Sequence, residues 1–301
     1  MRPAAITSHG QIIVVVAIAI STIIAAVSLA GDVAVFYFNW MQIQKAADSS
    51  VLAGASHLPL DSVGASATAA QYATVNGIRG TDTVATVVSS DGMRISMTIT
   101  RPVSYFFARV VGLTRGMVSA RAAALLEPLA TVNSPVPIGI DSRTAYSYGQ
   151  QIQLMYGQYG AGNWGALDFN GGGAGSFANY LQNGYDGRIN GGSWISTETG
   201  MMVGPTRRAF ESRVSAGQAA DPSGTFASHT INDPRVVTVA MVNYANVNGS
   251  SQVQVMGFAE LWLVGMDNNE TITTYFIRQV GNGTPSAAAA NYGGYQPVLV
   301  N

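Results

Sequence analysis

From Ile12 through Ala30 the chain reads IIVVVAIAISTIIAAVSLA, a run with no charged side chain. With Gly31 it approaches the ~20 residues that an α-helix needs to cross the core of a bilayer. The stretch that continues it, residues 30–58, has neither the single apolar stripe nor the Lys- or Glu-rich face of a soluble amphipathic helix. The large apolar members of the charge-free run, Ile12, Ile13, Val14, Val15, Val16, Ile18, Ile20, Ile23, Ile24, Val27 and Leu29, are read as a membrane anchor. Phe36, Tyr37, Phe38 and Trp40 follow, where amphipathic rings favour the headgroup layer. Asp32 falls between the two groups and is expected at the interface, because a carboxylate deeper in the bilayer would need a partner.

Past Trp40 the pattern changes without a helix breaker before Gly54: QIQKAADSSVLAGA carries little bulk on any face. Small residues let helix backbones approach closely. Ala46, Ala47, Ser50, Ala53 and Gly54 are therefore predicted to pack against neighbouring helices or against the chain's own head domain. Asp61 or Ser62 can cap a helix running to Asn76, with Gly77 suited to the left-handed position after its end. Thr83–Ser89 and Met93–Arg101 flank SDG, a hairpin signal. In the second of these strands Met93, Ile95, Met97 and Ile99 alternate with polar residues, which gives one buried and one wet face. Pro102 is expected to start a short helix whose Tyr105, Phe106, Arg109 and Val110 pack into the core. Val118 to Leu126 alternates as a further strand, and the prolines of EPLATVNSPVP mark a linker.

From Ile138 the chain turns to Gly, Asn, Tyr and Trp with short β patterns. Gln151–Tyr156, Val236–Asn243, VQVMGFAELWLVGM and TITTYFIRQV read as strands of antiparallel sheet. Two helices interrupt them, near Ser176–Leu181 and from Pro205 to Val214, the latter opened by a proline suited to a first helical turn. The expected architecture is α+β. It comprises an N-terminal membrane-spanning helix and its extracytoplasmic continuation (1–57), a small α+β head (58–128), a linker (129–137) and a mostly antiparallel β domain (138–301).

Composition narrows the chemistry. Of the 301 residues 48% are hydrophobic and only 10% charged, against about 25% charged in ordinary soluble domains. Net charge is −1, so no basic stripe exists to neutralise phosphates and nucleic acid is not an expected partner. Cysteine is absent, which removes disulfides and thiolate chemistry. Asn170–Ser176, NGGGAGS, lacks the lysine of a phosphate loop and the βαβ setting of a dinucleotide site, and is read as a turn. Ser228, His229, Asp233 and Glu198 supply hydrolase residue types without a nucleophile elbow. His9, His57 and His229 are too scattered for zinc. Asp168, Asp186, Asp221 and Asp233 sit in Gly/Asn-rich loops without a regular calcium-ligand series. Trp164, Trp194 and Tyr185 could grip a carbohydrate, although such rings more often anchor cores or loops. No catalytic, metal or cofactor site is expected.

A cleaved signal peptide competes with the anchor, with Arg2 as its basic start and Ser28-Leu29-Ala30 as a small-residue cleavage site. The apolar run exceeds the roughly 7–15 residues of a signal core, so retention is the expectation. Arg2 before the span and Asp32 after it favour a cytoplasmic N-terminus.

The succession of apolar helix, Gly31-Asp32, aromatics and KAADSSVLAGA resembles the N-terminal region of TadG-like pilus-assembly proteins. YATVNG, ISMTITRPVSYFFARVVGL and VSARAAALLEP resemble that family's continuation, so the likeness covers roughly residues 8–128. It implies one helix in the bacterial cytoplasmic membrane, the bulk outside, a head remotely akin to pseudopilins, and association with tight-adherence (Flp) pilus machinery or with copies of itself. Val15 stands where pilins carry a glutamate, a departure that argues against cleavage after Gly10. The alternative functions are a secreted β-rich module that binds glycan or a surface, and, more weakly, an extracytoplasmic hydrolase.

Overall fold

A computed structural model describes residues 9–171, 173–200, 202–230 and 232–300. Arg2, on which the orientation argument rests, lies outside them, as does Gly172 of the glycine turn. The apolar run and the small-residue stretch form one unbroken helix, α1 (His9–Ala55), of 47 residues, or about 70 Å at 1.5 Å per residue. Then follow α2 (Ser62–Val75), the hairpin β1 (Thr83–Val88) and β2 (Arg94–Ser104), a 3₁₀ turn (Ala108–Val111), and β3 (Arg115–Asn133). Asp61 caps α2 by accepting from the Gly64 amide at 2.7 Å, and Gly77 takes φ +92° just beyond the end of α2. Both were expected from residue type.

The first sheet runs β1-β2-β3 and is completed by the end of the chain, β14 (Gly294–Val300), which pairs antiparallel with β3. Small-residue faces meet over it. On α1, Ile43, Ala46, Ala47, Ser50, Val51, Gly54 and Ala55 are buried. They lie against Ile95, Met97 and Ile99 of β2, Ala120, Ala122 and Ala124 of β3, and Ala65, Ala69 and Ala73 of α2. At Gly54 a Cβ would come within 2.6 Å of the Ala65 carbonyl oxygen and 3.0 Å of Ala69 Cβ. The crossing of α1 and α2 therefore leaves no room for even a methyl group.

Two sequence expectations give way here. β2 continues through Pro102 to Ser104 instead of starting a helix there. Proline is tolerated because β1 has ended opposite Thr100, which frees one edge of β2. The segment read as a linker is mostly strand: β3 runs through Pro128 to Asn133, where β2 no longer pairs beyond Leu125.

The remainder is β4 (Gly139–Asp141), β5 (Gln151–Leu154), β6 (Leu167–Asp168), α3 (Gly173–Asn183), β7 (Arg188–Asn190), β8 (Trp194–Thr197), α4 (Val203–Ala220), β9 (Val236–Val242), β10 (Gln252–Met266), β11 (Ile272–Ile277), β12 (Gln279–Val280) and β13 (Gly283–Pro285). β7 and β13 pair with the far end of β3, and β12 with β14. The second sheet has the order β4-β9-β10-β11-β5, with β8 on the start of β10 and β6 on β8. Its core holds Trp164, Phe177 and Leu181 of α3, Phe210 of α4, and Leu261 and Leu263 of β10. A third cluster joins the sheets: Leu129 and Val132 of β3 pack with Val242, Val255 and Phe258.

Beside this junction Glu260 is buried, and the Thr238 hydroxyl donates to its Oε1 at 2.7 Å. Burial pushes its pKa up to about 8, with the Thr238 bond opposing.

Glu260 has a folded pKa above its ordinary 4.5, so between those values the native state holds a proton that the unfolded chain has lost. Its contribution is fully present below pH 4.5 and disappears as pH rises through about 8. Denaturation of the full chain in detergent is expected to show stability falling from pH 5 to pH 9, with Glu260→Gln flattening that slope. Gly54→Ala is expected to lower stability by about 1–3 kcal/mol through overpacking, although alanine is the better helix former. The same titration on Val63→Ala, 81% exposed, should change little.

Candidate functional site

The N-terminal half of α1 stands clear of the packed body. All eleven apolar positions from Ile12 to Leu29 that were read as an anchor are exposed, Ile13 by 71% and Leu29 by 67%. Within the helix an 18-residue window reaches a mean hydropathy of 2.9 with none of it buried. The helix is long and apolar enough to cross a membrane, a property that signal sequences share.

Asp32 closes this segment, and the structure gives it a partner that sequence reasoning missed. It is only 4% exposed. One carboxylate oxygen accepts from the backbone N–H of Phe106 at 2.6 Å and the other from that of Ala108 at 2.8 Å, while the Phe107 amide lies 3.2 Å from both. The Ala108 amide opens the 3₁₀ turn and those of Phe106 and Phe107 lead into it, so Asp32 holds the entry to the turn from another element. Gly31 completes the seat, since a Cβ there would stand 3.0 Å from the Phe107 ring. The Gly31-Asp32 pair thus docks the β2–β3 loop against α1.

That loop corrects the expectation that its residues pack inward. Phe106 is 75% and Val110 92% exposed, with Leu113 and Met117 also exposed. Of the four residues expected to pack inward Tyr105 does so, its ring stacking on Phe36 at 4.7 Å over Gly116, which leaves space for both. Phe36 accordingly packs against the core of the head. Tyr37, Phe38 and Trp40 are exposed, and Tyr37 stacks on Trp40 at 6.0 Å. Ala46, Ala47, Ser50 and Gly54 are buried within the chain's own head, whereas Ala53 is half-buried.

Below the aromatics a second polar clamp ties α1 to the head. Arg101 of β2 is fully buried. Its guanidinium donates to Asp82 at 2.7 and 3.0 Å, to the Gly77 carbonyl at 2.9 Å and to Gln42 Oε1 of α1 at 2.6 Å. Burial raises the Asp82 pKa, but the hydrogen bond from Arg101 and the Arg79 amide outweigh it and hold the carboxyl below its ordinary value. The signal for Arg101 was present in the sequence: it falls in phase with Ile95, Met97 and Ile99, and a cation on a buried strand face requires a partner.

Among the candidates for catalysis, burial raises the Asp233 pKa, but Arg235 outweighs it, and His229 lies close enough to help hold the carboxyl below its ordinary value. Asp233 is committed to Arg235 at 2.7 Å, and the Arg235 guanidinium lies 4.4 Å over the Trp262 ring. His229 approaches the Phe226 carbonyl oxygen through Nδ1 at 2.8 Å, and Ser228 Oγ lies 2.9 Å from Thr225 Oγ1. Glu198 lies elsewhere, its pKa raised by burial and by the neighbouring Asp168. Asp168 accepts from the Asn170 and Gly171 amides, an Asx turn that shapes the glycine loop. Asp186 is exposed, and Asp221 accepts from the Ser223 amide. Among the described residues no three His, Cys, Asp or Glu side chains gather for a metal. Trp164 is a core residue that donates to the Gly200 carbonyl, Trp194 is exposed and Tyr185 is half-buried. An open cleft of about 530 Å³ lies between the Asp141–Arg143 pair, Tyr146, Tyr159 and Gln150–Gln153.

Comparison with protein-family models, with curated proteins and with solved structures yields no match.

Arg101→Met is expected to cost about 3 kcal/mol, because loss of one partner leaves Asp82 charged and uncompensated. Denaturant unfolding of the full chain in detergent measures it, and the double variant Arg101→Met with Asp82→Leu should recover a large part.

Proposed function

We propose that this chain is a membrane-anchored extracytoplasmic structural or assembly component of a tight-adherence (Flp-type) pilus or a related surface-filament system. The observation that carries the anchored, structural reading is α1 itself, exposed and apolar in its first half and the spine of the head in its second. A cleaved leader has no reason to continue helically, without a breaker, into a protein core. The pilus assignment rests on the resemblance of residues 8–128 to TadG-like proteins. Its partners are the membrane, other pilus-assembly proteins and copies of itself; nucleic acid is not among them, and the function requires no cofactor. The β-rich remainder carries the polar, tyrosine-lined cleft beside Asp141 and Arg143, which supports glycan or surface binding as a second reading.

N-terminal sequencing of the native membrane fraction is expected to find residues preceding Gly31. In the organism that carries it, deletion of the chain should abolish surface filaments, and Glu198→Ala should restore them as well as the unaltered chain does. A mature start at Gly31 in a soluble fraction would remove the anchor. Normal filaments in the deletion strain would remove the pilus role.

A further inference from the structure

We propose that the β2–β3 loop, Tyr105–Thr114, is a second membrane-inserted element, and that lipid acyl chains of the leaflet surrounding α1 fill the groove between this loop and the helix. The inference rests on the anchored reading of α1. The groove measures about 570 Å³ and is lined on one side by Ser21, Ile24, Ser28 and Asp32 of α1 and on the other by Phe107 and Val110. Its α1 wall reaches Ser21, eleven residues before Asp32, or about 16 Å along the helix axis. If the apolar run spans the bilayer, the loop beside Ile24 lies at the depth of acyl chains.

Seven of the loop's amides find partners inside the protein. A backbone in lipid must satisfy its amides internally, since no water is there to take them. The amides of Phe106, Phe107 and Ala108 bond to the Asp32 carboxylate. Those of Tyr105, Val110, Gly112 and Leu113 reach the carbonyl oxygens of Thr114, Phe107, Arg109 and Ala108. The large apolar side chains presented outward include Phe106, Val110 and Leu113, an apolar tip that a water-facing loop would not be expected to expose. Arg109 and Arg115 are exposed and belong to no ion pair among the described residues. Their long stems can snorkel to lipid phosphates while the apolar neighbours stay below. The occupant is lipid because the tip is continuous with the exposed apolar surface of α1, and both meet the same solvent. Asp32 is the positioning residue: its charge serves to hold the loop at this depth.

Because the chain has no cysteine, single thiols can be placed at will. Val110→Cys, Ile24→Cys and Tyr156→Cys would each carry an environment-sensitive fluorophore in the full chain, reconstituted into phosphatidylethanolamine–phosphatidylglycerol vesicles with iodide on both sides. The expected result is that the labels at 110 and 24 are quenched by nitroxide-bearing lipids and shielded from iodide, whereas the label at 156 shows the reverse. Adding Asp32→Ala should make position 110 accessible to iodide and leave position 24 unchanged. A label at 110 quenched by iodide while that at 24 remains in lipid overturns the inference and spares the anchor. Shielding of 110 from both quenchers overturns it in favour of a second copy covering the groove. Iodide access at 24 removes the anchor, and the inference falls with it.

Discussion

The first half of the molecule depends on the helical continuity of α1, because the same backbone must suit two surroundings. Its first half exposes large aliphatic side chains, and its second buries small ones so that α2 and a sheet can come close. A break between them would leave a hydrophobic segment with no fixed relation to the head. The sequence avoids one by placing neither proline nor a polar cluster in the transition, and the protein reinforces the join through side chains from the sheet.

Two clamps provide that reinforcement by the same physics at different heights. Asp32 accepts from the backbone amides of Phe106, Phe107 and Ala108 at the entry to the 3₁₀ turn, and Arg101 binds Asp82, Gln42 and the Gly77 carbonyl just beyond α2. Each is a charge whose desolvation is offset by dense hydrogen bonding. Such groups cost stability compared with an apolar core, but they specify geometry. Here they fix the rotation and height of α1 against the head, which determines what the β2–β3 loop and the Tyr37, Phe38 and Trp40 rings face.

The two sheets are bound into one body by strands that the expected linker hides. β3 passes out of the first sheet's pairing with β2 and puts Leu129 and Val132 against residues of β9 and β10, while β14 returns from the far end of the chain to extend the same sheet. The head and the β-rich region are therefore joined by a hydrophobic junction, with buried Glu260 beside it.

By itself the sequence determined the elements whose signals are local. The charge-free run, the Ala/Ser/Gly stretch, the Asp61 cap, the SDG hairpin and the alternation of Ile95, Met97 and Ile99 each follow from periodicity or turn chemistry over a few residues. The two helices, the cap and the hairpin turn stand where they were expected, although the second hairpin strand runs further than its alternation foretold. The β-rich half was legible as strands but not as an order of strands. Tertiary structure decided what depends on partners distant in the chain. Phe106 and Val110 have core-like spacing, yet they point outward because Asp32, more than seventy residues earlier, takes the amides of their loop. Pro102 and Pro128 lie in strands because the neighbouring strand has ended on one side. Composition could not reveal either case, since a side chain's face and a proline's tolerance are set by which backbone lies alongside, and that is a property of the assembled fold.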